Sequence, residues 1–231
     1  MAGIQMDFAS ELESTANTDP LTFSHTPTGT PKGVVVTIGH GVLSADNVAG
    51  VTYGGVAMTR RQTNVDTATE PARVYIYTLH TSIPTGTQTV SVDWTTPNTN
   101  AKHLCCLTFT TDEGDDTEFI SAGGVDENAA NPSFTVSAPS GNRTGLAVAV
   151  SYTGAASPGT AGTNCTLVHT YDMTAFGVAV ARQTTPAAGT FAISVTQAND
   201  DCAFSAVNLA GLTVPAAEDF FPFVGGGYFP T

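Results

Sequence analysis

Five histidines (His25, His40, His80, His103, His169) and four cysteines (Cys105, Cys106, Cys165, Cys202) are the side chains best suited to proton transfer, nucleophilic attack or metal ligation in this chain. Such chemistry needs these groups in each other's company. The histidines fall on different predicted strands and loops, and none sits in an H-E-x-x-H or H-x-E pattern. There is no G-x-S-x-G elbow to expose a serine on a strained turn. The cysteines lack metal-ligand spacing. Cys105 and Cys106 are adjacent and point to opposite faces of a strand, so at most one is expected to face the core. All four read as small buried hydrophobes in a reducing compartment.

The acids tell a similar story. Thr111 to Glu118 reads TDEGDDTE, five carboxylates in eight residues. A calcium loop of the EF-hand kind needs ligands in fixed register with a closing Glu, which this segment lacks, so a solvated acidic turn is expected. Asp93, Asp172, Asp200 and Asp201 are of the type that pairs in glycoside hydrolysis, but nothing in their spacing marks two of them. Gly123-Gly124 and Gly225-Gly226-Gly227 lack the lysine and following helix of a phosphate-cradling loop and read as turns or spacers. Trp94 ends an alternating strand and reads as core rather than as a sugar platform. Asn142-Arg143-Thr144 and Asn164-Cys165-Thr166 match a glycosylation acceptor, which matters only after secretion. No catalytic residue, metal or cofactor is expected.

The elements that would hold these residues are strands. The clearest stretch runs from Arg73 to Trp94. Val90, Val92 and Trp94 alternate with Thr89, Ser91 and Asp93, the pattern of a half-buried strand. Val74, Tyr75, Ile76 and Tyr77 supply the β-branched and aromatic residues that suit a pleated surface. Pro84 and Gly86 between them predict an antiparallel hairpin with a loop longer than two residues. A second copy follows: AFGVAVARQ around Phe176, then Gly189 and TFAISVTQ. GVVVTIG from Gly33 similarly matches GLAVAVS from Gly145. The chain therefore reads as two related halves, about 33–112 and 145–212, joined by a segment with short strands around Phe119–Ser121 and Phe134–Val136.

With 231 residues the chain can form one large all-β domain or two small ones, and it is long enough to bury a core without disulfides or metal. Only 12% of residues are charged, and 7 basic against 20 acidic residues give a net charge of −13. That balance argues against nucleic acid and anionic membrane surfaces as partners, because both need a basic face. The first residues, MAGIQMDFASELES, have neither the basic nor the apolar region of a secretory signal. No apolar run approaches the roughly 20 residues that span a bilayer.

Residues 1–31 are polar and turn-rich, with one short apolar piece at Leu21–Phe23, and read as an N-terminal arm with at most one strand, not as a domain. Residues 32–213 read as an all-β, two-sheet antiparallel sandwich of jelly-roll type. Residues 214–231 form an aromatic tail whose prolines and glycines oppose regular structure. Its Phe220, Phe221, Phe223, Tyr228 and Phe229 would not stay in water uncovered. They either fold back on the sandwich or dock into a neighbouring subunit or another partner. Docking is the expectation, since aromatics anchor interfaces.

One run of motifs points further. Val51-Thr52-Tyr53-Gly54-Gly55-Val56-Ala57-Met58-Thr59 is followed by Arg73-Val74-Tyr75-Ile76-Tyr77, Pro84-Thr85-Gly86-Thr87 and Val90-Ser91-Val92. A strand from His103 to Phe109, Gly123-Gly124-Val125-Asp126 and the strand from Gly145 to Val150 come next. In this order the motifs resemble a β-sandwich family common among virion proteins of tailed bacteriophages and also found in bacterial proteins. The likeness spans about Gly33 to Leu212. Thr81-Ser82-Ile83 stands where that pattern has an aromatic pair. The resemblance implies a non-enzymatic virion structural protein, a capsid decoration or head- or tail-associated component. Its implied partners are other virion proteins and further copies of itself. The alternative is a carbohydrate- or cell-surface-binding sandwich using Tyr152, Tyr171 and the Asp112–Asp116 loop. A glycoside-active enzyme is the third reading.

Overall fold

The computed structural model describes residues 3–41, 46–66, 72–112, 114, 116–141, 143–154, 159–173, 176–197 and 200–212. All regular structure among them is β. In the first half the strands are β1 (Ile4–Ser14), β2 (Leu21–His25), β3 (Gly33–His40), β4 (Val48–Tyr53), β5 (Val56–Ala57), β6 (Thr59–Asp66), β7 (Ala72–Leu79), β8 (Gln88–Trp94) and β9 (Lys102–Thr111). The second half holds β10 (Thr117–Ala129), β11 (Ser133–Val136), β12 (Gly145–Thr153), β13 (Thr160–Ala161), β14 (Cys165–Met173), β15 (Phe176–Gln183), β16 (Phe191–Thr196) and β17 (Asp200–Gly211).

The two halves share one strand order. The five-stranded sheet β1-β9-β3-β7-β6 is matched by β10-β17-β12-β15-β14, and the sheet β2-β8-β4-β5 by β11-β16-β13. Even the bulges repeat. Register slips between Met6 and Phe8 in β1 and between Phe119 and Ser121 in β10. It slips again between Arg60 and Gln62 in β6 and between Leu167 and His169 in β14. A bulge inserts one residue and turns the side chains after it to the other face. Its recurrence at matching places is what a duplicated fold leaves behind.

The sheets stack face to face in antiparallel β-sandwich fashion, with a separate core in each gap. Val34, Val36 and Ile38 of β3 meet Val90, Val92 and Trp94 of β8 inside the first half. Ala147, Ala149, Ala179 and Ala181 meet Ile193 and Val195 inside the second. The two five-stranded sheets then pack on each other, through Val35, Val74, Ile76, Cys105 and Leu107 on one side and Val148, Val150, Val178, Val180 and Val207 on the other. Each half thus brings its own pair of sheets, where the sequence predicts one pair for both. The reason is that the five-stranded sheets are apolar on both faces: β3 and β12 are buried at every position.

Three expectations change accordingly. The stretch read as an arm contains β1 and β2, which pair with β9 and β8 and complete the first half. The stretch from Arg73 to Trp94 is not a hairpin, because β7 and β8 belong to different sheets and residues 80–87 carry the chain across the sandwich. Cys105 and Cys106 both face a core, the shared one and the first half's own, since β9 lies between the two. Gly54 and Gly55 form a two-residue turn between β4 and β5, both at positive φ (56° and 81°), the conformation glycine accepts most readily.

Candidate functional site

Among the described residues, one cluster of chemically capable side chains forms where the two halves meet. Before its bulge, β1 turns Ile4 and Met6 toward the shared core. After it the parity changes, so Ala9 faces that core, and Glu11 and Glu13 follow at two-residue steps. Glu13 pairs directly across from His103 on β9, and Glu11 across from Cys105. On the facing sheet, the bulge before His169 in β14 turns His169 and Tyr171 the same way.

The result is a carboxylate shared by two imidazoles. Nε2 of His103 lies 2.9 Å from Oε2 of Glu11, and Nδ1 of His169 lies 3.0 Å from the same oxygen. His103 is fully enclosed, with its ring stacked on Tyr171 at 5.9 Å and 26°. Side chains of Glu11 and His169 stay 32% and 25% exposed, so the cluster opens to solvent at the seam. The His103 hydrogen bond holds the Glu11 carboxyl below its usual range, helped by both imidazoles and opposed by burial. Burial raises the Tyr171 phenol, and the charge of Glu13 adds to the rise. Glu11, Glu13 and His103 can each offer a ligand atom within 4.8 Å of the others'.

The remaining histidines serve the packing. His25 is enclosed between Ser10 Oγ at 2.7 Å and Thr108 Oγ1 at 3.2 Å. His40 lies 3.2 Å from Asn98 Oδ1 and edge-on to Trp94. His80 sits between Thr78 and Thr117 at 2.8 and 3.1 Å. Burial lowers the pKa of each of the three to about 4, so all are neutral at pH 7. Burial likewise raises the Cys105 and Cys106 thiols, which leaves them poor nucleophiles. The bulge residue Asp7 was not singled out in the sequence. Burial alone would raise its carboxyl, but bonds from the Thr28 hydroxyl, the Gly29 and Thr28 amides and the Thr108 hydroxyl outweigh that and lower it.

Other candidates are dispersed. Asp93 is exposed on β8 and Asp172 on β14, in different sheets, and Asp201 is on β17. Asp112 of the acidic turn accepts a hydrogen bond from Gln5 at 3.0 Å. Tyr152 is 1% exposed in the shared core, so it is not the loop aromatic that the carbohydrate reading requires. Trp94 is core, with Lys102 Nζ 5.5 Å from its ring centre. Gly123 and Gly124 lie inside β10 against Phe134 and the Phe204 carbonyl. The tail interface residues Phe220, Phe221, Phe223, Tyr228 and Phe229 lie outside the described residues, as does all of 214–231.

Periodicity could not reveal the Glu11–His103–His169 cluster, because its members come from three strands, two halves and two bulges. Among the described residues no helix is long and apolar enough to cross a membrane. No protein-family model matches the chain, and no curated protein does.

Proposed function

We propose that this protein is a non-enzymatic structural component of a tailed-phage virion, a capsid decoration or head- or tail-associated assembly protein. The observation that carries the reading is the repeated strand order. The sheets ordered β1-β9-β3-β7 and β2-β8-β4-β5 interleave along the chain, which supports a jelly-roll reading of the sandwich, and the second half repeats the order. Jelly rolls are frequent in viral capsid and lectin domains, so the step from architecture to role is one of likeness. Two further features favour the capsid side. Three of the five histidines are neutral packing groups, and two of the thiols are shut inside cores. The net charge of −13 keeps free copies apart until a specific contact holds them. Partners in this role are other virion proteins and further copies of the chain, with the aromatic tail as the contact.

The test is quantitative mass spectrometry of purified, salt-washed virions from the source, with copy number referred to the major capsid protein. A fixed stoichiometric ratio is expected. Absence from washed particles, or specific retention on a glycan array by the pure protein, would replace this reading with the surface-binding one.

A further inference from the structure

We infer that Glu11, Glu13, His103 and His169 form a binding site for one divalent transition-metal ion of the zinc type, bridging the two halves at their seam. Two carboxylate oxygens and two imidazole nitrogens make a borderline donor set. Such sets take Zn²⁺ and its neighbours, whereas Ca²⁺ and Mg²⁺ prefer oxygen alone. The spacing suits the ion. Donors about 2.0–2.1 Å from a tetrahedral metal stand roughly 3.3 Å apart. The two imidazole nitrogens approach one Glu11 oxygen at 2.9 and 3.0 Å. Glu13 brings its ligand atom within 4.8 Å of those of Glu11 and His103. Glu11, Glu13 and His103 form the compact set, His169 reaches it on the Glu11 oxygen, and the exposed edges of Glu11 and His169 provide the way in.

Two independent observations point to a ligand. The first is the state of His103. Its ring is wholly buried and aimed at Glu11, yet its Nδ1 has no hydrogen-bond partner. A wholly buried imidazole with one nitrogen on the Glu11 carboxylate and the other without a partner has donor capacity that the packing leaves unused.

The second is the internal repeat, which provides its own control. Glu11, Cys105, Thr37, Ile76 and Gln62 form one register row across the first five-stranded sheet. The matching row in the second is Gly124, Ser205, Val150, Val180 and His169. Likewise the pair Glu13–His103 corresponds to Asp126–Ala203. At the opposite edge of the seam, then, the same backbone and bulges carry Gly124, Asp126, Ala203 and Gln62. The fold stands there without the two imidazoles and without the Glu11 carboxylate. The cluster is therefore not something the architecture demands.

The experiment is a titration of the full, untagged, chelator-treated chain with Zn²⁺ by calorimetry, and with Co²⁺ by visible absorption. One equivalent should bind, with the intense absorption of tetrahedral Co²⁺ and a rise in melting temperature. His169→Ala and Glu13→Gln, both at the open edge, should each weaken binding at least tenfold and change the Co²⁺ spectrum. Asp126→Asn, at the corresponding place in the other half, should leave binding unchanged. His103→Ala serves only if its circular dichroism is native; the other two variants decide the matter without it. No saturable Zn²⁺ or Co²⁺ binding would overturn the inference. So would full binding by the His169→Ala, Glu13→Gln double variant, or Ca²⁺ binding as tight as Zn²⁺ binding.

Discussion

Glu11 of β1 and His169 of β14 meet at 3.0 Å across the seam between the two halves, on the carboxylate oxygen that also meets buried His103. The two imidazoles do not depend on it equally. His169 is partly solvated and can turn to water, so His169→Ala in chelator should cost less than about 1 kcal/mol. Glu11→Ala strands the Nε2 of a fully buried ring and should cost on the order of 1–3 kcal/mol. Urea denaturation of the metal-free variants measures both. Equal losses would mean that His103 finds another partner.

Acid should destabilise the fold well before its carboxylates are protonated. His25, His40 and His80 have folded pKa values near 4, below the 6.5 of an exposed imidazole. Between those limits the unfolded chain binds more protons than the native one, so stability falls as pH drops from about 6.5 to about 4. Each histidine adds at most about 1.4 kcal/mol per pH unit to that slope. Glu11 and Asp7 act lower. Their depressed folded values mean that their contribution, present above the ordinary carboxylate range, disappears as pH falls through their folded pKa. A melting-temperature profile from pH 7.5 to 3.5 should slope from about 6.5 downward, and His80→Gln should flatten it. A profile flat down to pH 4.5 would contradict the buried neutral state.

Two adjacent glycines of β10 should behave differently. A Cβ at Gly124 would stand 2.2 Å from the Phe204 carbonyl oxygen, which belongs to the neighbouring strand and cannot yield. At Gly123 the obstacle is the far edge of the Phe134 ring, at 2.0 Å, which can turn aside. Gly124→Ala should therefore cost about 1–3 kcal/mol with no simple remedy. Gly123→Ala should be milder and regain stability when combined with Phe134→Leu. Denaturation midpoints of the three variants check this.

The repeat was legible in the sequence because matching strands keep matching phase. Val90-Ser91-Val92 and Ile193-Ser194-Val195 both lie on strands of the smaller sheets, and the Gly33 and Gly145 runs became β3 and β12. What stayed hidden was the second face of the central strands. Leu146-Ala147-Val148-Ala149-Val150 does alternate, but between two apolar kinds: the larger residues fill the shared core and the alanines fill the second half's own. Polarity alternation sees only a continuous apolar run there and cannot count the layers. β1 stayed hidden for another reason. The bulge at Asp7 reverses its phase midway, so IQMDFASELES matches neither a single strand pattern nor a helix. The same reversal aims Glu11 at the seam, and the site and the missed strand share one cause.

The thiols offer a direct probe of this layering. Cys105 and Cys106 sit on opposite faces of β9, each in a different core, and burial raises both. Cys202 is buried as well, and Cys165 is half-buried. An aromatic disulfide reagent at pH 8 should label Cys165 first and slowly. The other three should react only at the rate of opening, and all four at once in denaturant. Rapid labelling of Cys105 would mean that the two five-stranded sheets part readily.

The aromatic tail lends itself to truncation. The last strand among the described residues ends at Gly211, and the Leu212 amide donates to the Asp116 carbonyl at 2.8 Å. Every residue of the three described cores precedes that bond. On the docking reading, a chain lacking Phe220 to Thr231 should keep the circular dichroism and melting temperature of the full protein to within a few degrees. If the five aromatics are the assembly contact, the truncated chain should also fail to join particles in a complementation assay. Normal incorporation would move the contact onto the sandwiches themselves. A large fall in melting temperature would mean that the aromatics cover their own subunit. These two measurements together separate docking from folding back.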